Sequence, residues 1–215
     1  MSKPASALEF ATYLETNFNW RIKEISDLKK AISEANKAYR PVLRKAAIPI
    51  LYAHWEGHAR FVVEAYLKYV ARRKINLKNL SLHMRGIALH DFFKKNFSAI
   101  PNYDKRADIL KEIIESSEKQ FRSFPDDCVN TGSNLNFERT SQIARMLGFD
   151  FPFEPFDIDT LDRKLLEARN IIAHSAIKIV DEDDLERLFD SVISMMRAFR
   201  DVVTNLVVEE KFKRS

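Results

Sequence analysis

Apolar residues recur at every third or fourth position along most of the chain, and polar residues fill the positions between them. This periodicity is typical of amphipathic helices, in which residues three and four apart share a face. It predicts helices over about 6–38, 41–73, 81–97, 104–121, 136–147, 158–176 and 182–212. Turn-forming residues fill 122–135, and a second break at 148–157 places two prolines between phenylalanines and is expected to pack on the helices. We therefore predict an all-α fold, a helical bundle with an extra helical and loop elaboration, in a single domain over residues 1–215.

The second predicted helix is apolar on nearly all of its sides. One face carries Leu51, Trp55, Val62, Tyr66 and Tyr69, and a flank adds Tyr52, Val63 and Leu67. A helix of this kind is usually buried, so we expect it to be the central helix of the bundle. Pro49 within it is expected to kink the helix or to mark its start.

Composition changes this picture little. The chain has 35 basic and 31 acidic residues, and its net charge of +4 permits a polyanionic partner without requiring one. The single cysteine, Cys128, cannot form an intrachain disulfide, so a reducing compartment such as the cytoplasm is expected. The N-terminal residues lack the apolar region of a secretory signal, and no apolar run approaches the roughly 18 residues of a membrane span. We therefore expect no membrane partner.

The stretch EARNIIAH at residues 167–174 places an arginine, an asparagine and a histidine close together on a predicted helix. The core stripe of that helix is formed by Leu161, Leu165, Ala168 and Ile172. Asn170 and His174 lie on the opposite face and are neighbours there, because they are four residues apart. Arg169 lies about 140° around the helix from His174, nearer the core. One straight helix therefore does not easily bring Arg169 and His174 to one point.

A second apolar stripe, formed by Leu166, Ala173 and Ile177, surrounds Asn170. Apolar residues beside exposed polar groups suggest that another surface covers them. Another helix of the bundle or a second copy of the chain could supply that surface. We expect a homodimer with two-fold symmetry, which would place both copies of His174 in one cleft.

Two features of the central helix suggest further chemistry. Glu56 lies among apolar residues, and a buried carboxylate needs a cationic or hydrogen-bonding partner, so we expect it to pair with Arg169 and hold the guanidinium in place.

His54 and His58 have the spacing of metal ligands, but the zinc-protease motif has a glutamate directly after the first histidine and here that residue is Trp55. No third ligand follows, so two packed, hydrogen-bonded histidines are favoured and no metal or cofactor is expected.

The basic stretch over residues 68–78 contains Arg72, Arg73 and Lys74, which are candidates for binding RNA phosphates. Cations at the C-terminal end of a helix are also favoured by the helix dipole and can simply be solvated. The sequence leaves both interpretations open.

The residues Arg169-Asn-Ile-Ile-Ala-His174 resemble the R-N-x-x-x-H form of the Rx4–6H motif of the HEPN superfamily, helical proteins named for higher eukaryotes and prokaryotes nucleotide-binding. Residues 51–70, LYAHWEGHARFVVEAYLKYV, resemble the central helix of a bacterial MAE-type HEPN branch. Residues 131–149, TGSNLNFERTSQIARMLGF, resemble the segment that precedes the motif helix. The resemblance covers about residues 10–205 and implies a HEPN-like helical bundle.

Many HEPN proteins are metal-independent endoribonucleases that act as toxins, in phage defence or in RNA processing. The resemblance implies that Arg169 and His174 are the catalytic pair, that Asn170 helps to orient them, and that RNA is the substrate. It also implies that two protomers juxtapose their motifs in one cleft, and that a cognate antitoxin or defence partner exists. Some HEPN toxins are silenced by adenylylation of a tyrosine two residues after the motif histidine; Ala176 occupies that position here, which argues against this form of control.

The chemistry implied by the motif is physically reasonable. Arginine stays cationic and presents a fork of donors to phosphate oxygens, and histidine can accept and release protons at neutral pH. RNA cleaved by its own 2′-hydroxyl would yield a 2′,3′-cyclic phosphate and a 5′-hydroxyl. Two alternatives remain: a non-catalytic HEPN module that binds RNA, nucleotide or a partner protein, and a structural helical scaffold.

Overall fold

The computed structural model describes residues 4–96, 103–125, 134–174 and 180–214. Over these ranges the chain forms eight α-helices and no β-strand, which confirms the all-α prediction. The helices are α1 (Ala7–Glu34), α2 (Arg40–Arg72), α3 (Leu82–Ala88), α4 (His90–Asn96), α5 (Tyr103–Ser116), α6 (Phe137–Leu147), α7 (Ala168–Ala173) and α8 (Glu182–Val208). A 3-10 turn at Leu77–Asn79 follows α2, and a π-helical segment at Asp159–Glu167 runs directly into α7. No helix in the described ranges is both long enough and apolar enough to cross a membrane.

The long helix α2 is the central element, as predicted. It packs against α1, α8, α7 and the π-helical segment. Leu51, Trp55 and Tyr66 are fully buried, so the predicted inner face is confirmed. Pro49 lies inside α2, which begins at Arg40, so the expectation that this proline marks the start of the helix is wrong.

The first half of α2 is buried on one side only. Its outer side carries Val42, Ala46, Ile50 and Ala53, which recur at helical spacing and are exposed, Val42 to 66% and Ile50 to 38%. These four residues are called the α2 stripe below. Tyr52 lies on the buried side of α2, where it contacts Arg169 of α7.

The π-helical segment changes which side chains of the motif helix face the core. Hydrogen bonds in a π-helix join residues five apart, so Leu161 and Leu166 lie about one turn apart and share the inner side. Leu166 is only 8% exposed and belongs to the core, together with the predicted core residues Leu161, Leu165 and Ala168. Placing Leu166 on an outer apolar stripe with Ala173 and Ile177 was therefore wrong, because that placement assumed uniform α-helical periodicity. Ala173 is exposed, and Ile177 lies outside the described residues.

The predicted break at 148–157 packs on the bundle, as expected. Phe151, Phe153 and Phe156 contact one another, and Phe156 contacts Trp55 of α2. Gly148 ends α6 in the left-handed conformation, with φ of 86°, and a Cβ there would lie 2.7 Å from the ring of His83. This ending turns the chain from α6 into the aromatic loop and on towards the motif helix.

Candidate active site around Arg169 and His174

Arg169 is partly buried between α7, α2 and the residues that precede α6. Its guanidinium carbon lies 5.0 Å from the centre of the Tyr52 ring, a cation-π distance. Its Nη1 atom donates to the side-chain oxygen of Asn170 at 2.8 Å and lies 3.4 Å from that of Asn134. All three contacts are with neutral groups. Among the described residues no carboxylate pairs with Arg169, so its positive charge is held in place without being neutralised.

Tyr52 connects this arginine to the rest of the bundle. Its hydroxyl accepts a hydrogen bond of 2.7 Å from the backbone N–H of Leu135, and it also interacts with the carboxylate of Glu56 one turn along α2. Burial is the main reason why the pKa of Tyr52 is raised to about 12, and the Glu56 carboxylate raises it further. Tyr52 therefore stays protonated at neutral pH and supports Arg169 as a neutral aromatic ring.

The expected ion pair between Glu56 and Arg169 is wrong. Within the described residues Glu56 makes no ion pair or hydrogen bond with Arg169, and its carboxylate interacts instead with the Tyr52 hydroxyl. The reason is local geometry: Tyr52 lies one turn before Glu56 on the same side of α2, and its ring occupies the space against which Arg169 packs. Glu56 is also only partly buried, so it does not need a cation to offset its desolvation.

The segment before α6 brings a second amide to Arg169. The backbone N–H of Leu135 is bound by Tyr52, and that of Phe137 donates to the carboxylate of Asp162 in the π-helical segment at 2.7 Å. These two bonds attach the segment to both α2 and the motif helix, and Asn134 thereby lies beside Arg169. The side chain of Asn136 caps α6 by accepting a hydrogen bond from the backbone N–H of Arg139.

His174 lies at the C-terminal end of α7 and is exposed, which agrees with its predicted position opposite the core stripe. Its backbone N–H donates to the carbonyl of Asn170 at 3.0 Å, so the helix is intact up to the histidine. No hydrogen bond joins the side chains of Arg169 and His174 in the described structure. One chain thus carries Arg169 in the first turn of α7 and His174 at its C-terminal end, without joining them into a pair.

The candidate phosphate-binding residues Arg72, Arg73 and Lys74 lie elsewhere. They are exposed at the C-terminal end of α2, as the sequence predicted. Tyr52 lies 20 residues before Arg72 on the same helix, which corresponds to about 30 Å at 1.5 Å per residue. Within one chain these three cations therefore cannot contact the phosphate that Arg169 would bind.

The two histidines of α2 are packed rather than arranged as metal ligands. The ring of His58 is fully buried, and its nitrogens lie 3.0 Å from the carbonyl of Met196 and 3.3 Å from the amide oxygen of Asn17. His54 is also buried and lies edge-on to Trp20. In the described part of the chain, no three histidine, cysteine or acidic side chains come together in a way that could hold a metal ion.

With this geometry established, comparison with known proteins identifies the family. A family model described as HEPN_MAE_28990-like HEPN matches residues 10–212. The chain belongs to the HEPN superfamily. No characterised protein and no solved structure gives a significant match. The family assignment agrees with the central helix and with the all-α bundle described above.

In this HEPN domain the sequence identified the motif residues but not the groups that support them. Tyr52 was assigned to an apolar flank, although its hydroxyl makes the most buried polar contact near the motif. Asn134 lies in a segment recognised from the sequence only by its turn-forming residues and its resemblance to the family. Its contact with Arg169 was not predicted. The sequence did offer one indication of the contact between Tyr52 and Glu56. Tyr52 lies one turn before Glu56 on the predicted helix, so the two side chains share a helix face.

Proposed function

We propose that the protein is a metal-independent endoribonuclease that cleaves RNA to 2′,3′-cyclic phosphate and 5′-hydroxyl ends. The observation that carries this proposal is the state of Arg169. Its guanidinium is oriented by the Tyr52 ring and by two amide oxygens, and no described carboxylate neutralises it. An oriented, uncompensated guanidinium at a partly exposed position suits the binding of a phosphate.

Arg169 has the electrostatic role in this proposal. When the 2′-oxygen attacks the phosphorus, negative charge accumulates on the non-bridging oxygens of the phosphorane. A guanidinium that is already oriented stabilises that charge without having to reorganise during the reaction. Asn170 accepts a hydrogen bond from Nη1 and so restricts the orientation of the guanidinium. Asn134 assists it from the segment before α6.

His174 has the proton-transfer role. The 2′-hydroxyl loses its proton to a base as the new O–P bond forms, and the 5′-oxygen takes up a proton as the old P–O bond breaks. An exposed histidine beside the scissile phosphate can perform one of these transfers, and the second copy in a dimer can perform the other. The bonds and protons balance without water or a redox partner, so the cyclic phosphate is the direct product.

A homodimer would complete such a site. In one chain Arg169 and His174 are not hydrogen-bonded to each other, and a two-fold axis near α7 would place two motifs in one cleft. Because Leu166 is buried, it cannot form part of that interface. The exposed α2 stripe replaces it in the proposal, because it is an exposed apolar surface that a second copy of the chain could cover.

The biological role that we propose is that of a toxin or phage-defence effector acting with a cognate antitoxin or defence partner. The experiment that tests the chemistry uses purified protein and total RNA in excess EDTA, followed by analysis of the RNA ends. We expect cleavage that persists in EDTA and produces cyclic phosphate and 5′-hydroxyl ends. RNA that is bound but remains intact would instead favour the non-catalytic HEPN module.

A further inference from the structure

A cavity of about 560 Å³ opens on the side of the bundle near the C-terminal end of α2. Its walls come from α1, from the last turns of α2 and from the segment after α5. The volume lies within the range of about 300–1,000 Å³ that is usual for small-molecule sites. Its lining residues on α2 lie about 20–30 Å along the helix from Tyr52, so it is not part of the site described above.

Three cations line this cavity: Lys68, Arg72 and Arg122. None of the described residues that line it is acidic. Lys68 is paired with Glu64, but Arg72 bonds to the carbonyl of Pro4 at 3.3 Å and Arg122 to the amide oxygen of Gln120 at 2.7 Å. Because these last two partners are neutral, no described carboxylate compensates either guanidinium, and the cavity favours an anion.

The cavity also has an aromatic side. Tyr13 and Phe124 line it and are only partly buried, and Tyr69 lies beneath them. Partly exposed aromatic rings in the same cavity as guanidinium groups suit a ligand that combines a planar base with a phosphate. The lining groups come from α1, from α2 and from the segment after α5, so their convergence is a property of the fold and not of one basic stretch of sequence.

We propose that this cavity binds a nucleoside phosphate, with the base against Tyr13 and Phe124 and the phosphate between Arg72 and Arg122. The ligand is either a free nucleotide or one nucleotide of a single RNA strand. This gives Arg72 a defined role that Arg73 and Lys74 do not share, because only Arg72 of those three lines the cavity. Binding here does not depend on the proposed cleavage at Arg169 and His174.

Calorimetry with 5′-AMP, adenosine and inorganic phosphate tests the free nucleotide, and fluorescence anisotropy with a labelled 2′-O-methyl oligonucleotide tests the strand. The oligonucleotide has no free 2′-hydroxyl, so it cannot be cut by the proposed chemistry. We expect 5′-AMP or the oligonucleotide to bind saturably, with adenosine and phosphate weaker by about tenfold or more. Saturable 5′-AMP binding by a protein that does not cleave RNA would separate failure of the proposed cleavage from failure of this proposal.

The decisive variant is Arg72→Gln with Arg122→Gln, and its matched control is Lys74→Gln, which removes a nearby charge outside the cavity. We expect the double variant to weaken binding by about tenfold or more and the control to change it by less than about twofold. Ser123→Glu places a negative charge at the exposed rim and should weaken binding even if the double variant folds poorly. If the double variant loses binding of the oligonucleotide but not of 5′-AMP, the cavity binds one nucleotide of an RNA strand. No saturable binding of either probe, or an equal loss in Lys74→Gln, would overturn the proposal.

Discussion

The guanidinium of Arg169 lies 5.0 Å from the centre of the Tyr52 ring, which joins the motif helix to the central helix of the bundle. The hydroxyl of the same tyrosine binds the backbone of Leu135 and interacts with Glu56. The side chain of Tyr52 thus connects α2, the segment before α6 and the motif arginine. Substitutions at Tyr52 should therefore distinguish its effect on Arg169 from its effect on the stability of the fold.

Tyr52→Phe keeps the ring under Arg169 but removes the acceptor of the Leu135 N–H. We expect a loss of about 1–3 kcal/mol in the free energy of unfolding, because a buried donor is left unsatisfied, with cleavage near the wild-type level. Tyr52→Ala should cost about 3–5 kcal/mol and also reduce cleavage, because the ring is lost. Chemical denaturation and RNA cleavage of both variants provide the comparison. If Tyr52→Phe loses cleavage as fully as Tyr52→Ala, the hydroxyl itself takes part in the reaction and the ring is not the essential group.

Arg169→Ala tests whether the arginine serves the reaction or the fold. Because no described carboxylate pairs with Arg169, its removal strands no buried charge, and we expect a stability change of about 1 kcal/mol or less. Cleavage should be lost. Arg169→Lys keeps a charge but not the planar fork, so cleavage should remain well below wild type. Thermal melts and cleavage rates measure both effects, and a large drop in stability for Arg169→Ala would point to a structural arginine.

The α2 stripe is expected to carry the dimer contact. Val42→Glu should give a monomer, because it places a charge within the proposed apolar interface. Ile114→Glu is the matched control, since Ile114 of α5 is exposed to a similar degree, 69% against 66% for Val42, and lies outside the stripe. Light scattering after size exclusion measures the mass of each protein. A wild-type monomer at micromolar concentration, or a Val42→Glu dimer, would contradict the proposed interface.

His58 predicts how stability depends on pH. Burial, reinforced by the positive charge of Arg21, lowers the pKa of His58 to about 3 in the folded protein, whereas an unfolded histidine titrates near 6.5. Between these values the unfolded state binds the extra proton. The free energy of unfolding should therefore fall as pH is lowered from 7 to 4, by up to about 1.4 kcal/mol per pH unit from this residue. Burial shifts the pKa of His54 in the same direction.

Denaturation of the wild type and of His58→Gln across this pH range provides the measurement. The variant is expected to be less stable at pH 7 but to show a shallower dependence on pH. Equal slopes for the two proteins would show that His58 does not contribute to the acid sensitivity.

The hydrophobic pattern predicted the helices and the central position of α2, because burial of apolar faces determines both. It failed at Leu166, because the π-helical segment changes the spacing at which side chains face the core. The pattern also could not predict that Glu56 would interact with Tyr52 instead of Arg169. That outcome depends on the packing of α7 against α2, which brings together side chains that are distant in sequence. The motif residues themselves were visible from their types and spacing, whereas their supporting contacts required the structure.

The most direct test of the central claim compares wild type and His174→Ala in an RNA cleavage assay with and without EDTA, beside thermal melts of both proteins. His174 is exposed, so its removal leaves no cavity, and stability should change by about half a kcal/mol or less. Cleavage should fall by about 100-fold or more, as expected for the loss of a proton-transfer group, and EDTA should leave the wild-type rate unchanged. If His174→Ala cleaves as fast as wild type, or if EDTA stops the wild-type reaction, the proposed mechanism is wrong.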